Sequence, residues 1–467
     1  MEKKYNLIFL FADQWRRNAA GFVGKEDVIT PNIDKFSNEA LVFANAVSTG
    51  PLCSPSRASI LTGTYPATHG VWTNCKTGLY DVWLKEESIT ITDVLKENDY
   101  YIGYIGKWHL DNPEENVENK PKSGARDWDA YTPPGKKRHG IDYWYSYGAY
   151  DNHLKPHYWE DTNEMIEIDK WSVEHETDKA LEFLCKNKEK QFALFLSWNP
   201  PHTPLDLVPE KYLKLYENTE VRVSDNIILN DVIDHTKTMP NALNFTEDEF
   251  QETLKKYYAA ISGIDENFGR IIDYLKENNL YDNSIIVLTA DHGEMLCSHG
   301  LWSKHVWYEE SIGIPFMIKY GDNKGITESV LSGVDIMPTL LSLLELKIPE
   351  TVEGKDLKEV ISNSKEDVEN IAIIAAYPGQ IKAIEKFKKE NLNSLDFGWR
   401  AVRSRNHTFV INKGYEPGKE IETLLYNNKE DVYQLNPKVN NSIDEDGIAN
   451  KLNDILQKWL KEHNDGF

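Results

Sequence analysis

Four stretches of this chain are apolar almost throughout and stop abruptly at polar residues: Asn6–Ala12, Tyr101–Ile105, Phe192–Trp198 and Ser284–Ala290. Short runs without polar alternation are strands covered on both faces, as in a parallel sheet packed between helices. Val42–Ala44 and Ile314–Ile318 read as further strands. The spacing predicts helices from Thr30-Pro31 to about Ala40, at Thr90–Asn98, at Trp171–Lys186 and at Asp335–Leu346. Thr246 and Glu249 form a capping-box pattern that opens a long helix to about Asn278. Its Ile261, Ile264, Phe268, Ile271 and Leu275 make a core stripe. Strand–helix alternation of this kind predicts an α/β fold with a large, mixed, mostly parallel sheet sandwiched by helices. Such sheets place their ligands beyond the carboxyl ends of the strands. The residues met there are Asp13-Gln14, Lys107, His109, His202 and Asp291-His292, with Lys304 further on.

The 467 residues suffice for two structural units. A charged, Ser- and Asn-containing stretch near Glu353–Asn370 reads as the linker, giving a catalytic unit over 1–365 and a smaller unit over 366–467. In the second unit, Ile371–Ala376 and Trp399–Val410 read as strands and Leu424–Tyr426 as a turn. An amphipathic helix near Asp446–His463 is expected to cap this small antiparallel sheet. The net charge of −23 argues against a nucleic-acid partner, which needs a basic face, but leaves room for a locally basic pocket. No run has the length of a membrane-spanning helix, and no apolar leader precedes the first strand. The chain is therefore expected to be cytoplasmic, with Cys75, Cys185 and Cys297 as free thiols.

The fourth cysteine opens Cys53-Ser54-Pro55-Ser56-Arg57-Ala58-Ser59-Ile60-Leu61-Thr62-Gly63. Pro55 suits the first turn of a helix, and Cys53 then sits at its N-terminus, where backbone amides and the macrodipole favour an anion. Arg57 lies one turn on and can pair with the same anion. Asp13 and Asp291, with the Gln14 amide oxygen, make the start of a hard-cation site for Ca²⁺ or Mg²⁺. Lys107 and His109 alternate with Trp108, so both can face one side of an extended segment.

The Cys53–Gly63 stretch resembles the first sulfatase signature, and Gly106-Lys107-Trp108-His109 resembles the second. The likeness runs from the first strand to Lys304 and on into Trp399–Arg403 and Leu425–Leu435. It implies a formylglycine-dependent sulfatase of the alkaline phosphatase superfamily, with an alkaline-phosphatase-like fold. The resemblance further implies that a formylglycine-generating maturation enzyme oxidises Cys53, whose hydrated aldehyde becomes the nucleophile. Arg57 and Lys107 would hold that group and the sulfate charge, and His109 would be the base for its second hydroxyl. His202 and Lys304 would bind the sulfuryl group, one of them protonating the leaving alcohol. The metal set would be Asp13, Gln14, residue 53, Asp291 and His292. Asp13-Gln14 departs from the family's adjacent Asp pair and Asp291-His292 from its Asp-Asn. His292 could therefore bond the nucleophile instead of the metal, and Mn²⁺ stays open beside Ca²⁺ and Mg²⁺.

Residues 111–160 read as a loop-rich insertion, a place where compact domains put function. Its Arg138, His139, His153 and His157 are candidate contacts to a sulfated sugar. The leading expectation is a carbohydrate sulfatase acting on a small sulfated substrate. Two alternatives differ in chemistry: a phosphonate monoester or phosphodiester hydrolase of the same fold, and a sugar-binding relic with unmodified Cys53.

Overall fold

The structure, a computed structural model, describes residues 4–237, 242–363, 370–439 and 447–467. Eight strands make the main sheet: β1 (Asn6–Asp13), β2 (Leu41–Val47), β3 (Tyr101–Lys107), β4 (Tyr143–Tyr147), β5 (Phe192–Pro201), β6 (Ser284–Ala290), β7 (Phe316–Lys319) and β8 (Gly325–Ser332). Their order across the sheet is β8-β2-β7-β6-β1-β5-β3-β4. Every neighbouring pair is parallel except the two made by β7, which runs against β6 and β2. The apolar runs β1, β5 and β6 are buried at every position, and they occupy the middle of the sheet as their composition requires.

Helices α1 (Ser172–Asn187) and α2 (Glu247–Glu277) pack on each other and on β5. Both halves of the capping box that opens α2 form: the Thr246 hydroxyl accepts the Glu249 amide at 3.2 Å, and Glu249 accepts the Thr246 amide at 2.8 Å. Among the described residues no helix is long and apolar enough to cross a membrane.

Residues 143–147 correct the reading of 111–160 as loop alone. They form the edge strand β4, paired with β3 from Gly103↔Tyr143 to Lys107↔Tyr147. The sequence hid this because an aromatic strand flanked by Pro and Gly carries no alternation. Strand β8, on the other edge, was likewise not expected; Gly325, Ile326 and Glu328 are exposed and its second half is buried.

The second sheet is antiparallel, in the order β9 (Ala372–Ala376), β10 (Gly398–Arg403), β11 (His407–Gly414), β12 (Glu422–Asn427), β13 (Lys438–Val439). Trp399–Val410 is thus a hairpin and not one strand, and Leu424–Tyr426, expected as a turn, is the middle of β12. Alternation explains the result. Ile373, Val402, Phe409 and Leu425 pack on helix α3 (Ile448–Glu462) through Leu452, Leu456 and Trp459. The intervening Ile374, Ala401, Val410 and Tyr426 pack on Val47, Ile312 and Val330 of the first unit. Both faces of the small sheet are therefore covered, one of them by the main unit. The proposed linker lies partly, and the 365/366 division and the expected helix start at Asp446 lie wholly, outside the described residues.

Candidate active site

The carboxyl ends of four adjacent strands, β6, β1, β5 and β3, converge on one place. Asp13 closes β1, Lys107 closes β3, Asn199 lies near the end of β5, and Asp291 follows β6. Lys107 reaches across β5 to Asp13 (Nζ–Oδ2 2.8 Å) and donates to Asn199 Oδ1 at 3.0 Å. Gly106 permits the approach: it adopts φ 96°, and a Cβ there would lie 2.1 Å from the Ser197 carbonyl of β5.

Cys53 begins a ten-residue helix, Cys53–Thr62, buried along its whole length. Arg57, one turn on, is clamped between the two acids, with Nη2–Asp13 Oδ2 at 2.9 Å and Nε–Asp291 Oδ2 at 3.0 Å. Its Nη1 donates to the Lys107 carbonyl and the Ser197 hydroxyl. The Cys53 sulfur lies 3.5 Å from Asp13 Oδ1, 3.3 Å from His292 Nε2 and 3.4 Å from Lys304 Nζ. Burial and the Asp13 charge push the Cys53 pKa up, but Lys107, Lys304 and His292 together hold it well below the ordinary thiol range. The position favours an anion.

Asp13, Cys53, Asp291 and His292 each offer a ligand atom within 4.8 Å of the others. The two acids crowd each other: burial and the Asp13 charge raise the Asp291 pKa to about 6. Burial raises Asp13 too, yet Lys107, His202, Arg57 and Lys304 outweigh it and hold Asp13 ionised. His292 Nδ1 lies 2.9 Å from the Gly293 carbonyl and donates to it. Nε2 faces the acids, 3.6 Å from each, where its lone pair would be offered to a bound cation. This donor set fits a divalent cation. Gln14 is held at φ 67°, with its amide donating to Asp291 Oδ1 at 3.1 Å. Its side chain spans Glu294 and the Lys304 ammonium, so its oxygen faces a lysine.

His109 also sits in the left-handed region, at φ 53°. Its Nε2 lies 3.1 Å from the Cys75 carbonyl and donates to it, leaving Nδ1 as a buried acceptor with no hydrogen-bond partner. Burial lowers its pKa while Cys53 opposes the shift, so the ring stays a neutral base. His202 behaves in the opposite sense. Its Nδ1 faces the Thr203 carbonyl (2.7 Å) and Asp151 (3.4 Å). Burial and Lys304 work against its protonation, but Asp151 carries its pKa up to about 9.

Over this cluster opens a cavity of about 590 Å³ lined by, among others, Lys76, Trp128, His202, Trp302, Lys304 and Tyr415. A larger cavity, about 970 Å³, lies elsewhere, between strands β2 and β8 and helix α3, and holds none of the groups just described. Three of the four candidate sugar contacts are spent on structural partners in and beside the insertion. Arg138 donates to the Thr132 and Glu160 carbonyls and to Asp161; His139 pairs with Asp93, and His157 with Asp129. None of these three lines the cavity. His153 touches the cavity wall through the His202 carbonyl, at 2.8 Å. Asp151, Asn199, Ser197 and Glu294 were not singled out from the sequence. Glu294 accepts the Leu296 and Ser303 amides and thereby shapes the loop that delivers Lys304.

A parallel-rich sheet whose central strand tips gather two acids, three cations and a buried cysteine-bearing helix defines a hydrolase of the alkaline-phosphatase-like class. Residues 5–346 match the family model described as Sulfatase. The chain is 32% identical over 489 aligned positions to the endo-4-O-sulfatase of Bacteroides thetaiotaomicron, covering 98% of this chain and 92% of that one. It is 31% identical to the ulvan-active sulfatase of Formosa agariphila, covering 99% and 82% respectively. The solved structure of yidJ from Bacteroides fragilis matches with a TM-score of 0.84 at 34% identity, covering all of this chain and 97% of that one. The chain belongs to the sulfatase family and is a sulfuric ester hydrolase.

Proposed function

We propose that the enzyme removes sulfate from a sulfated carbohydrate, with residue 53 oxidised to formylglycine and a divalent cation held by Asp13, Asp291, His292 and residue 53. The observation that carries this reading is the sulfur of Cys53 within 3.5 Å of Asp13, His292 and Lys304. When present, the cation and the hydrated aldehyde supply an acidified hydroxyl nucleophile. The chain's own groups do the rest. Lys107, Lys304 and Arg57 offset the negative charge of the sulfuryl oxygens in a site where little water screens them. His109 Nδ1, with its lone pair free, takes a proton from a hydroxyl at residue 53. His202 enters protonated and gives its proton to the leaving alcohol. The sugar assignment is supported by the aromatic rings of Trp128, Trp302 and Tyr415 around the cavity and by the ulvan and N-acetylglucosamine named for two relatives.

Turnover of a panel of sulfated mono- and disaccharides beside a matched phosphonate monoester tests the reading. Sulfated sugars are expected to lead by at least about 100-fold in kcat/KM. Hydrolysis of the phosphonate alone would overturn the assignment.

The acid role of His202 makes a second prediction. A group with a raised pKa is charged below it, so kcat should hold through neutrality and fall as pH rises through about 9. The Asp151→Asn variant should bring that alkaline limb down towards the ordinary histidine value, because Asp151 is what carries it up. A limb that stays in place in Asp151→Asn would remove His202 from the acid role.

A further inference from the structure

Lys76 is 5% exposed, yet among the described residues no carboxylate lies within ion-pair distance of its ammonium. The other cations of the cavity are accounted for. Lys237 is 3.6 Å from Asp234, His202 is 3.4 Å from Asp151, and Lys304 faces Gln14 and Cys53. Lys76 Nζ instead meets the amide oxygen of Gln380 at 3.4 Å and the ring of Trp128 at 5.7 Å to its centroid. Taking an ammonium out of water beside neutral partners is unfavourable, and burial alone lowers its pKa to about 8.

This lysine is also fixed relative to the reacting residue. Asn74 Oδ1 accepts the Ser54 amide at 3.1 Å, the Cys75 amide donates to Ser54 Oγ at 3.1 Å, and the Cys75 carbonyl meets His109 at 3.1 Å. Asn116 holds the Lys76 carbonyl from the other side at 3.2 Å. Trp128, 41% exposed, stacks on His109 with ring centroids 6.2 Å apart and opens towards the cavity. An aromatic face and a buried, uncompensated ammonium thus stand side by side next to the sulfuryl site, in a protein whose overall charge repels acidic sugars.

From this we infer that Lys76 and Trp128 form a subsite for a second anionic group on the substrate, so that the enzyme selects saccharides carrying a carboxylate or another sulfate beside the scissile one. The inference deepens the carbohydrate-sulfatase reading and rests on it. Trp128 would cover an apolar sugar face, and Lys76 would complete its ion pair only when the acidic group arrives.

The test uses three probes: a monosulfated hexosamine, a sulfated hexosamine–uronate disaccharide with its uronate methyl ester, and a disulfated hexosamine. Binding is measured by calorimetry on Cys53→Ala, which does not turn over. Turnover is measured on the active enzyme. The parent protein is expected to bind a probe carrying the second acidic group about 10- to 100-fold more tightly than the matched probe that lacks it. The uronate and disulfate arms tell which acid is read. Lys76→Met should shrink that preference to within about 2-fold through KM, leave kcat on the monosulfated sugar unchanged, and be rescued by Lys76→Arg. Equal affinity for the uronate and its methyl ester, together with no gain from the second sulfate, would overturn the subsite. So would a preference that survives Lys76→Met. Absence of turnover with the binding preference intact would instead count against the sulfatase chemistry alone.

Discussion

Replacing Cys53 by alanine is expected to lower kcat by about 10⁴- to 10⁶-fold while leaving the fold in place. The magnitude follows from position. Residue 53 stands at the start of its helix, with Lys107, Lys304 and His292 drawing negative charge to its side chain, and among the described residues no second nucleophile shares that focus. Ser54 and Ser56 are turned away, their hydroxyls bonded to the His109 and Asp291 carbonyls at 2.6 and 2.5 Å. Neither can stand in. Cys53→Ser keeps an acceptor of similar size, but its CH2OH gives the same aldehyde on loss of two hydrogens, so the variant is read only after residue 53 has been typed by mass. Serine that stays unoxidised should be almost as damaging as alanine. Peptide mass spectrometry across residue 53 of the active parent should then find a side chain that has exchanged sulfur and two hydrogens for oxygen. Full activity in material that carries only the thiol would overturn the proposed nucleophile, and so would an unoxidised serine variant within about 10-fold of the parent.

The contrast between what the sequence disclosed and what it hid is physical. Asp13, Lys107 and Asp291 were legible because each ends an apolar run, and a parallel sheet forces such ends together. Arg57 was legible because one helical turn separates it from Cys53. Asp151, Lys76 and Trp128 lie on loops, where side-chain direction depends on contacts made far away in the chain. Lys76 is placed by Ser54, His109 and Asn116, and no local period encodes that. The same limit works in reverse for Arg138. As a cation in an aromatic-rich insertion it has the composition of a ligand contact. Its guanidinium is nevertheless used by Thr132, Glu160 and Asp161 to tie the insertion to itself. In the second unit, Leu424–Tyr426 was misread because three apolar residues in a row suggest no alternation. Leu425 faces the terminal helix, whereas Leu424 and Tyr426 face the main unit, so both sides of β12 are apolar.

Removing divalent cations should abolish activity and also lower the melting temperature, and the second effect reports on the site without any chemistry. Asp13 and Asp291 are fully buried beside each other, with Arg57 between their Oδ2 atoms and His292 Nε2 3.6 Å from an oxygen of each. Without a cation, burial and the Asp13 charge push Asp291 up to about 6, while Lys107 and its neighbours keep Asp13 ionised. A divalent ion bound only by the folded state adds about 2.7 kcal/mol at 100 times its Kd. For a chain of 467 residues that corresponds to a rise of about 3 °C in Tm. Ca²⁺, Mg²⁺ and Mn²⁺ should be compared on protein whose residue 53 has been typed by mass. Asp13→Asn should remove the response. The pH dependence gives the sign. Asp291 has a raised pKa in the metal-free protein, so lowering pH through about 6 protonates it and sets protons against the ion. The metal-dependent increment in Tm should therefore be full above pH 6 and shrink below it. An increment indifferent to pH between about 5 and 7, or retained in Asp13→Asn, would place the cation somewhere other than between these two carboxylates.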